Sequence, residues 1–166
     1  MNCGFMIDEL NSATGFTVLG NDTVNLAAAT TCLVGSASLE FDKVDGAANK
    51  KYAGAYKTID KQFRVDQFKV TDRVGMIMYI SSIAAVDYAF ARVGTDVSNY
   101  VEWRFADTSI TAGAFTFVDV DLCTGYVTGT GWSEAMSGNG PHDVEVVNLD
   151  YLSVGVMFDA ETDALA

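Results

Sequence analysis

Glu40, Asp42 and Asp45 come nearest to a catalytic set by type and spacing. Alternate residues of a strand project to one face, so Glu40 and Asp42 stand side by side, as two carboxylates working on one glycosidic bond must. The third acid, Asp45, is one methylene short of a glutamate, and no aromatic cluster adjoins it. We read the three as a solvated strand face followed by a turn, and assign no catalytic residue. His142, the single histidine, follows Gly-Pro in a loop. No Ser or Cys occupies a nucleophile setting of the Gly-x-Ser-x-Gly kind, so no triad is supported.

Cys3, Cys32 and Cys123 are odd in number and far apart, with no C-x-x-C pair. They suit neither a disulfide framework nor a zinc site, and are expected to be reduced thiols of a protein made in a cytoplasm. Asp119, Asp121, Asp150, Asp159, Glu161 and Asp163 have the oxygen chemistry of a structural calcium site. The EF-hand pattern is absent, and solubilising acid is the plainer role. No cofactor is expected. Trp103 and Trp132 raise the question of sugar stacking, since aromatic faces match the C–H surfaces of sugar rings. Trp103 shares a strand face with Val101 and Phe105 and is expected in the core. Trp132 lies in the glycine-rich stretch 125–141 and is the candidate exposed aromatic, for a ligand or an interface.

The 166 residues are 49% hydrophobic and 19% charged, which excludes a disordered tail and suits one packed domain. The net charge of −12 disfavours nucleic acid, because phosphate contacts need clustered Lys and Arg. All ten bases lie between Lys43 and Arg104, so the segments 1–42, 43–104 and 105–166 carry −5, +3 and −10. In a sandwich such segments interleave and their charges mix. The N-terminus has no basic region before an apolar run, so no signal peptide is expected. The apolar stretch 76–91 is too short and too polar to span a membrane.

Period-2 alternation predicts strands over 37–43, 63–70, 88–93, 100–105 and 115–122. The run 74–80 is nearly all apolar and predicts a strand covered on both faces. Residues 144–149 and 152–158 predict two more strands with a turn between them. Residues 24–32 suit a short helix or a further strand. Short strands at even spacing, broken by Gly, Asn, Asp and Ser, predict an all-β, antiparallel two-sheet sandwich in a single domain, 1–166. Leu39, Phe41, Val101, Trp103, Phe105, Val118, Val120, Val154 and Val156 are its expected inward set. Residues 1–20 form an N-terminal arm or a first strand. Its apolar residues, among them Phe5, Met6 and Ile7, are interface candidates.

Three stretches then carry a resemblance. Gly35-Ser-Ala-Ser-Leu-Glu-Phe-Asp-Lys43 is similar to the early strand of lectin-like jelly rolls. Arg92-Val-Gly-Thr-Asp-Val-Ser-Asn-Tyr-Val-Glu-Trp-Arg104 resembles their hairpin, and Ile110-Thr-Ala-Gly-Ala-Phe-Thr-Phe117 the strand that follows. Over residues 35–158 the chain thus resembles the concanavalin-like, carbohydrate-module-like sandwiches, of which stand-alone copies occur among tailed-phage virion proteins.

The resemblance implies a jelly-roll sandwich and a virion structural protein assembled in a host cytoplasm. With no catalytic set, stalk, repeat or export signal, a capsid decoration or cement protein is expected. Such a protein would be a homotrimer bound to the major capsid protein lattice, not an enzyme, with neither nucleic acid nor membrane as partner. The alternatives are a carbohydrate-binding module on a virion surface or tail fibre, and a lectin-like-fold glycosidase built on Glu40 and Asp42. The resemblance also implies a closing strand after the acidic loop. The sequence ends where it would begin, so the N-terminal segment or a neighbour is expected to pair with that edge.

Overall fold

The computed structural model describes residues 8–46, 51–63, 72–98, 100–122, 126–128 and 147–164. They form an all-β, antiparallel sandwich. Its strands are β1 (Thr17–Val18), β2 (Thr23–Ala29), β3 (Ser38–Lys43), β4 (Tyr52–Phe63), β5 (Arg73–Tyr79), β6 (Val86–Gly94), β7 (Tyr100–Ala106), β8 (Phe115–Asp121), β9 (Tyr126–Thr128) and β10 (Val147–Phe158). One layer is a six-stranded sheet in the order β1-β4-β10-β6-β7-β9. Two ribbons, β2-β3 and β5-β8, contribute Leu26, Leu39, Phe41, Val74, Met76, Met78 and Val118 to the core over one face of it. The two four-stranded sheets of a jelly roll are not among the pairings of the described residues.

The core face of the large sheet follows from register. One row across it reads Ala53, Val156, Ala89, Phe105, and the next Ala55, Val154, Ala91, Trp103. Small and large side chains alternate along each row, which leaves room for the rings. Trp103 is buried, and its indole nitrogen donates to the Leu122 carbonyl at 3.1 Å, so the polar end of the ring is satisfied. Of the expected inward set, Val101, Trp103, Phe105, Val118, Val154 and Val156 are buried, and Leu39, Phe41 and Val120 pack half-buried against them.

Three expectations are corrected, and the open choice of helix or strand over residues 24–32 is decided. Residues 147–158 are one strand, with a register shift near Asp150 instead of a turn, because Val147–Leu149 and Tyr151–Met157 pair continuously with β4. Residues 23–29 are a strand. Asn25 takes a left-handed φ of 54° at a bulge opposite β3, and its side-chain amide donates to Asp42 at 2.6 Å. β5 is covered on one face only: Val74, Met76 and Met78 turn inward, while Ile77 and Tyr79 are exposed. The long strand β4 begins well before the strand predicted at 63–70. Its buried core residues are Ala53, Ala55 and Ile59, and one large residue among them is too few to mark a hydrophobic period. Residues 64–70 of that predicted strand lie outside the described residues.

The described part of the N-terminal arm is tied into the molecule. β1 pairs with β4, Phe16 and Leu19 are buried, and the Leu39 amide donates to the Leu10 carbonyl at 2.6 Å. The Asp8 carboxylate pairs with Lys57, whose ammonium also lies 4.6 Å over the Phe16 ring. Thr17 and Val18 thus supply a short partner strand at that edge. Phe5, Met6 and Ile7 lie outside the described residues.

Candidate functional site

The β5–β8 ribbon carries the most unusual surface of the described residues. In full register, Gly75 faces Asp119, Ile77 faces Phe117 and Tyr79 faces Phe115. Period 2 puts these residues on the face opposite the core. Ile77 is 43% exposed, Tyr79 50% and Phe117 65%. The Tyr79 and Phe115 rings lie 5.5 Å apart at an angle of 56°, an edge-tilted pair. The Phe117 ring lies over Gly75, where a Cβ would stand 2.8 Å from its Cζ. The glycine is therefore the floor that lets this exposed ring lie down on the ribbon.

The two ends of this face differ. At one end Arg73 donates through Nε to the Asp119 carboxylate at 3.0 Å. That bond is the main cause holding its guanidinium pKa above the ordinary value, with burial opposing it. Asp121 stands opposite Arg73, and Asp72 carries the carbonyl that accepts from the Leu122 amide at 2.9 Å. At the other end, residues 80–85 and 110–114 hold no charged side chain.

The outer face of the six-stranded sheet holds a polar cluster. Glu102 is buried and accepts from two arginines, Arg92 Nε on one oxygen and Arg104 Nε on the other, each at 2.6 Å. The Arg92 guanidinium stacks 4.0 Å from the Phe90 ring centre and 4.8 Å from that of Tyr100. Tyr151 and Ser153 are buried beside it, and among the described residues their hydroxyls make no hydrogen bond. Burial raises the Tyr151 phenol pKa, and the neighbouring Ser153 and Arg92 oppose that shift without reaching bonding geometry. Both Glu102 oxygens are engaged, so the carboxylate is a clamp on two guanidinium groups and is not poised to move a proton.

Glu40 is exposed on β3, and the half-buried Asp42 accepts from Asn25. Asp45 lies beyond the strand end and is exposed. The Cys32 thiol donates to the Gly35 carbonyl at 3.4 Å. No three His, Cys, Asp or Glu residues gather as a metal-binding group among the described residues. Within the acidic set considered for calcium, Asp119 is held by Arg73 and Asp163 by the Ala160 amide. No helix among the described residues is long and apolar enough to cross a membrane. Trp132, His142, Cys3 and Cys123 lie outside the described residues.

No family model matches the chain, and neither a curated protein nor a solved structure matches it. The site therefore rests on its own geometry. The ribbon face was missed because 74–80 reads as a continuous apolar run, the pattern of a strand covered on both sides. A signal was present in β8. Phe115 and Phe117 alternate in phase with Asp119 and Asp121, and a face bearing two aspartates is a solvent face.

Proposed function

We propose that this chain acts by binding a protein surface and not by breaking bonds, as a virion structural protein of the capsid decoration or cement type. The observation that carries the reading is the exposed apolar face of the β5–β8 ribbon. Ile77, Tyr79, Phe115 and Phe117 form one patch in cross-strand register, and contiguous apolar patches on a soluble surface mark interaction sites. The aromatic side chains are short anchors of the kind that dominate binding energy once water is excluded. Rings tilted by 56° do not offer the coplanar platform that stacked sugars use, which favours a protein partner over a glycan. The resemblance of residues 35–158 to sandwiches of tailed-phage virions makes the major capsid protein lattice the first partner to test.

Two measurements test this. Mass spectrometry of purified particles from producing cells should find the chain in stoichiometric amounts. Particles that lack it should take up the added chain but not its Phe117→Ser variant. Absence from the particles, or equal uptake of the variant, would sink the reading.

A further inference from the structure

We infer that the outer face of the six-stranded sheet holds a site for a carboxylate group, gripped by the Arg92 guanidinium and the Tyr151 and Ser153 hydroxyls. The site belongs to the large sheet, not to the β5–β8 ribbon, and does not depend on the docking role proposed above. Register places its parts. Tyr56, Ser153, Arg92 and Glu102 stand in one row across β4, β10, β6 and β7, and Thr58, Tyr151, Gly94 and Tyr100 in the next. Gly94 puts no side chain between Tyr151 and Tyr100, whose ring centres are 6.3 Å apart. The Tyr56 ring stands 5.9 Å from that of Tyr151. Tyr56 and Tyr100 are half-buried, and the Arg92 side chain keeps a tenth of its surface exposed, so solvent reaches the site along these three residues.

Two observations point to an anion. Tyr151 is 4% exposed and Ser153 0%, and among the described residues neither hydroxyl makes a hydrogen bond. Buried polar groups are rarely left unpaired, and two side by side call for a shared partner. Burial raises the Tyr151 pKa, so the phenol keeps its proton at neutral pH and donates. The second observation is at Arg92, which gives Nε to Glu102; no hydrogen bond from either Nη is found among the described residues. Four N–H groups and two hydroxyls thus converge as donors. Glu102 cannot serve them, because each of its oxygens already accepts from an arginine. Asp87 acts on Arg104 and Tyr88, whereas the charged group acting on the Tyr151 phenol is Arg92. A single water fits less well, since it brings two protons to a cluster short of acceptors. A carboxylate offers two acceptor oxygens in the planar spacing that a guanidinium fork matches. A doubly charged phosphate is disfavoured, because one guanidinium already shared with Glu102 cannot balance it out of water.

The test uses the full chain, isotope-labelled for NMR and titrated with sodium formate at neutral pH. Formate should shift the Arg92 Nε–H and the amides of Tyr151 and Ser153, and the shifts should saturate. Titrated alone, sodium chloride and sodium phosphate should bind at least ~10-fold more weakly. Tyr151→Phe and, separately, Ser153→Ala keep the Arg92–Glu102 pair. Each should weaken formate about 10-fold, the loss of one hydrogen bond to a charged group. N-acetylglutamate amide separates two sources of the carboxylate. If it binds as formate does, the site takes an acidic side chain of a partner; if it is excluded while formate binds, the site takes a free small acid. Shifts that never saturate, or that are confined to other surfaces, would overturn the inference. So would chloride or phosphate bound as tightly as formate, or both variants binding formate like the parent. A crystal grown in formate that shows only water against these donors would overturn it as well.

Discussion

Arg92 and Glu102 face each other directly across β6 and β7, and the Arg92 Nε donates to the Glu102 carboxylate at 2.6 Å with both side chains nearly sealed from solvent. An ion pair out of water holds only while both charges are present, because each has given up its hydration for the other. Glu102→Gln is therefore expected to destabilise the fold by about 3–5 kcal/mol, read as a lowered denaturant midpoint at unchanged slope. Arg104 uses the other Glu102 oxygen but is half-exposed. Arg104→Met should cost about 1 kcal/mol or less, since water can replace that partner. Equal losses for the two variants would show that Arg92 is not the buried charge that depends on Glu102.

Tyr151 supplies the opposite case. Its hydroxyl is buried without a hydrogen-bond partner among the described residues, so Tyr151→Phe removes a polar group that folding desolvates without compensation. The variant should be as stable as the parent or more so at neutral pH. Burial raises the Tyr151 pKa, and that of Tyr88 as well. A phenol with a raised folded-state pKa loses its proton more readily in the unfolded chain. Stability is then whole below about pH 10, the ordinary phenol value, and falls as pH climbs towards the raised folded values. Chemical denaturation across the alkaline range should show this decline, and Tyr151→Phe should make it shallower. A decline unchanged by the substitution would assign it to other groups.

Lys43 holds the C-terminal segment. Its buried ammonium donates to the carbonyls of Val44 at 3.3 Å and Glu161 at 2.8 Å, and to that of Asp163, and it lies 5.3 Å over the Phe158 ring. One side chain at the end of β3 thus ties down the chain beyond β10. Lys43→Met keeps the aliphatic stem and removes the donors, leaving carbonyls to find water or stay unpaired, at about 1–3 kcal/mol. Limited proteolysis should cut this variant first after Phe158, while the sheet stays protected. Cutting at the same rate as in the parent protein would mean that the remaining contacts suffice.

How much of this was legible in the sequence depends on side-chain size and pairing partners. Trp103 with Val101 and Phe105, and Val118 with Val120, announce their strands because large apolar residues alternate with polar ones. β4 does not, because Ala53 and Ala55 sit in rows filled by larger residues from β10 and β7, and only the register reveals them as core. The pairing of Arg92 with Glu102 depends on the hairpin register, which neither residue encodes alone. Lys43 reads as a surface base until the C-terminal segment is seen to return 118 residues later.

The same reasoning places a strong constraint at Gly155. It pairs with Gly54 across β10 and β4 and with Phe90 on the other side. A Cβ on Gly155 would stand 2.4 Å from the Ala53 carbonyl oxygen and 2.4 Å from the Phe90 Cζ. The carbonyl belongs to the backbone of the neighbouring strand and cannot turn away. The Phe90 ring is fully buried and is held from above by the Arg92 guanidinium, so it cannot swing out either. Gly155→Ala should therefore force β4 and β10 apart or displace the ring, costing about 1–3 kcal/mol or more. Displacing Phe90 also unseats Arg92 from Glu102, so the loss should exceed that of an alanine placed in open space, as at Gly113, whose Cβ would meet nothing within 4 Å. Gly113 has a φ of 70°, so its own alanine variant carries backbone strain alone. Thermal unfolding of the two variants side by side separates clash from strain. If Gly155→Ala proves no more harmful than Gly113→Ala, the close approach of β10, β4 and Phe90 is not a constraint on the fold.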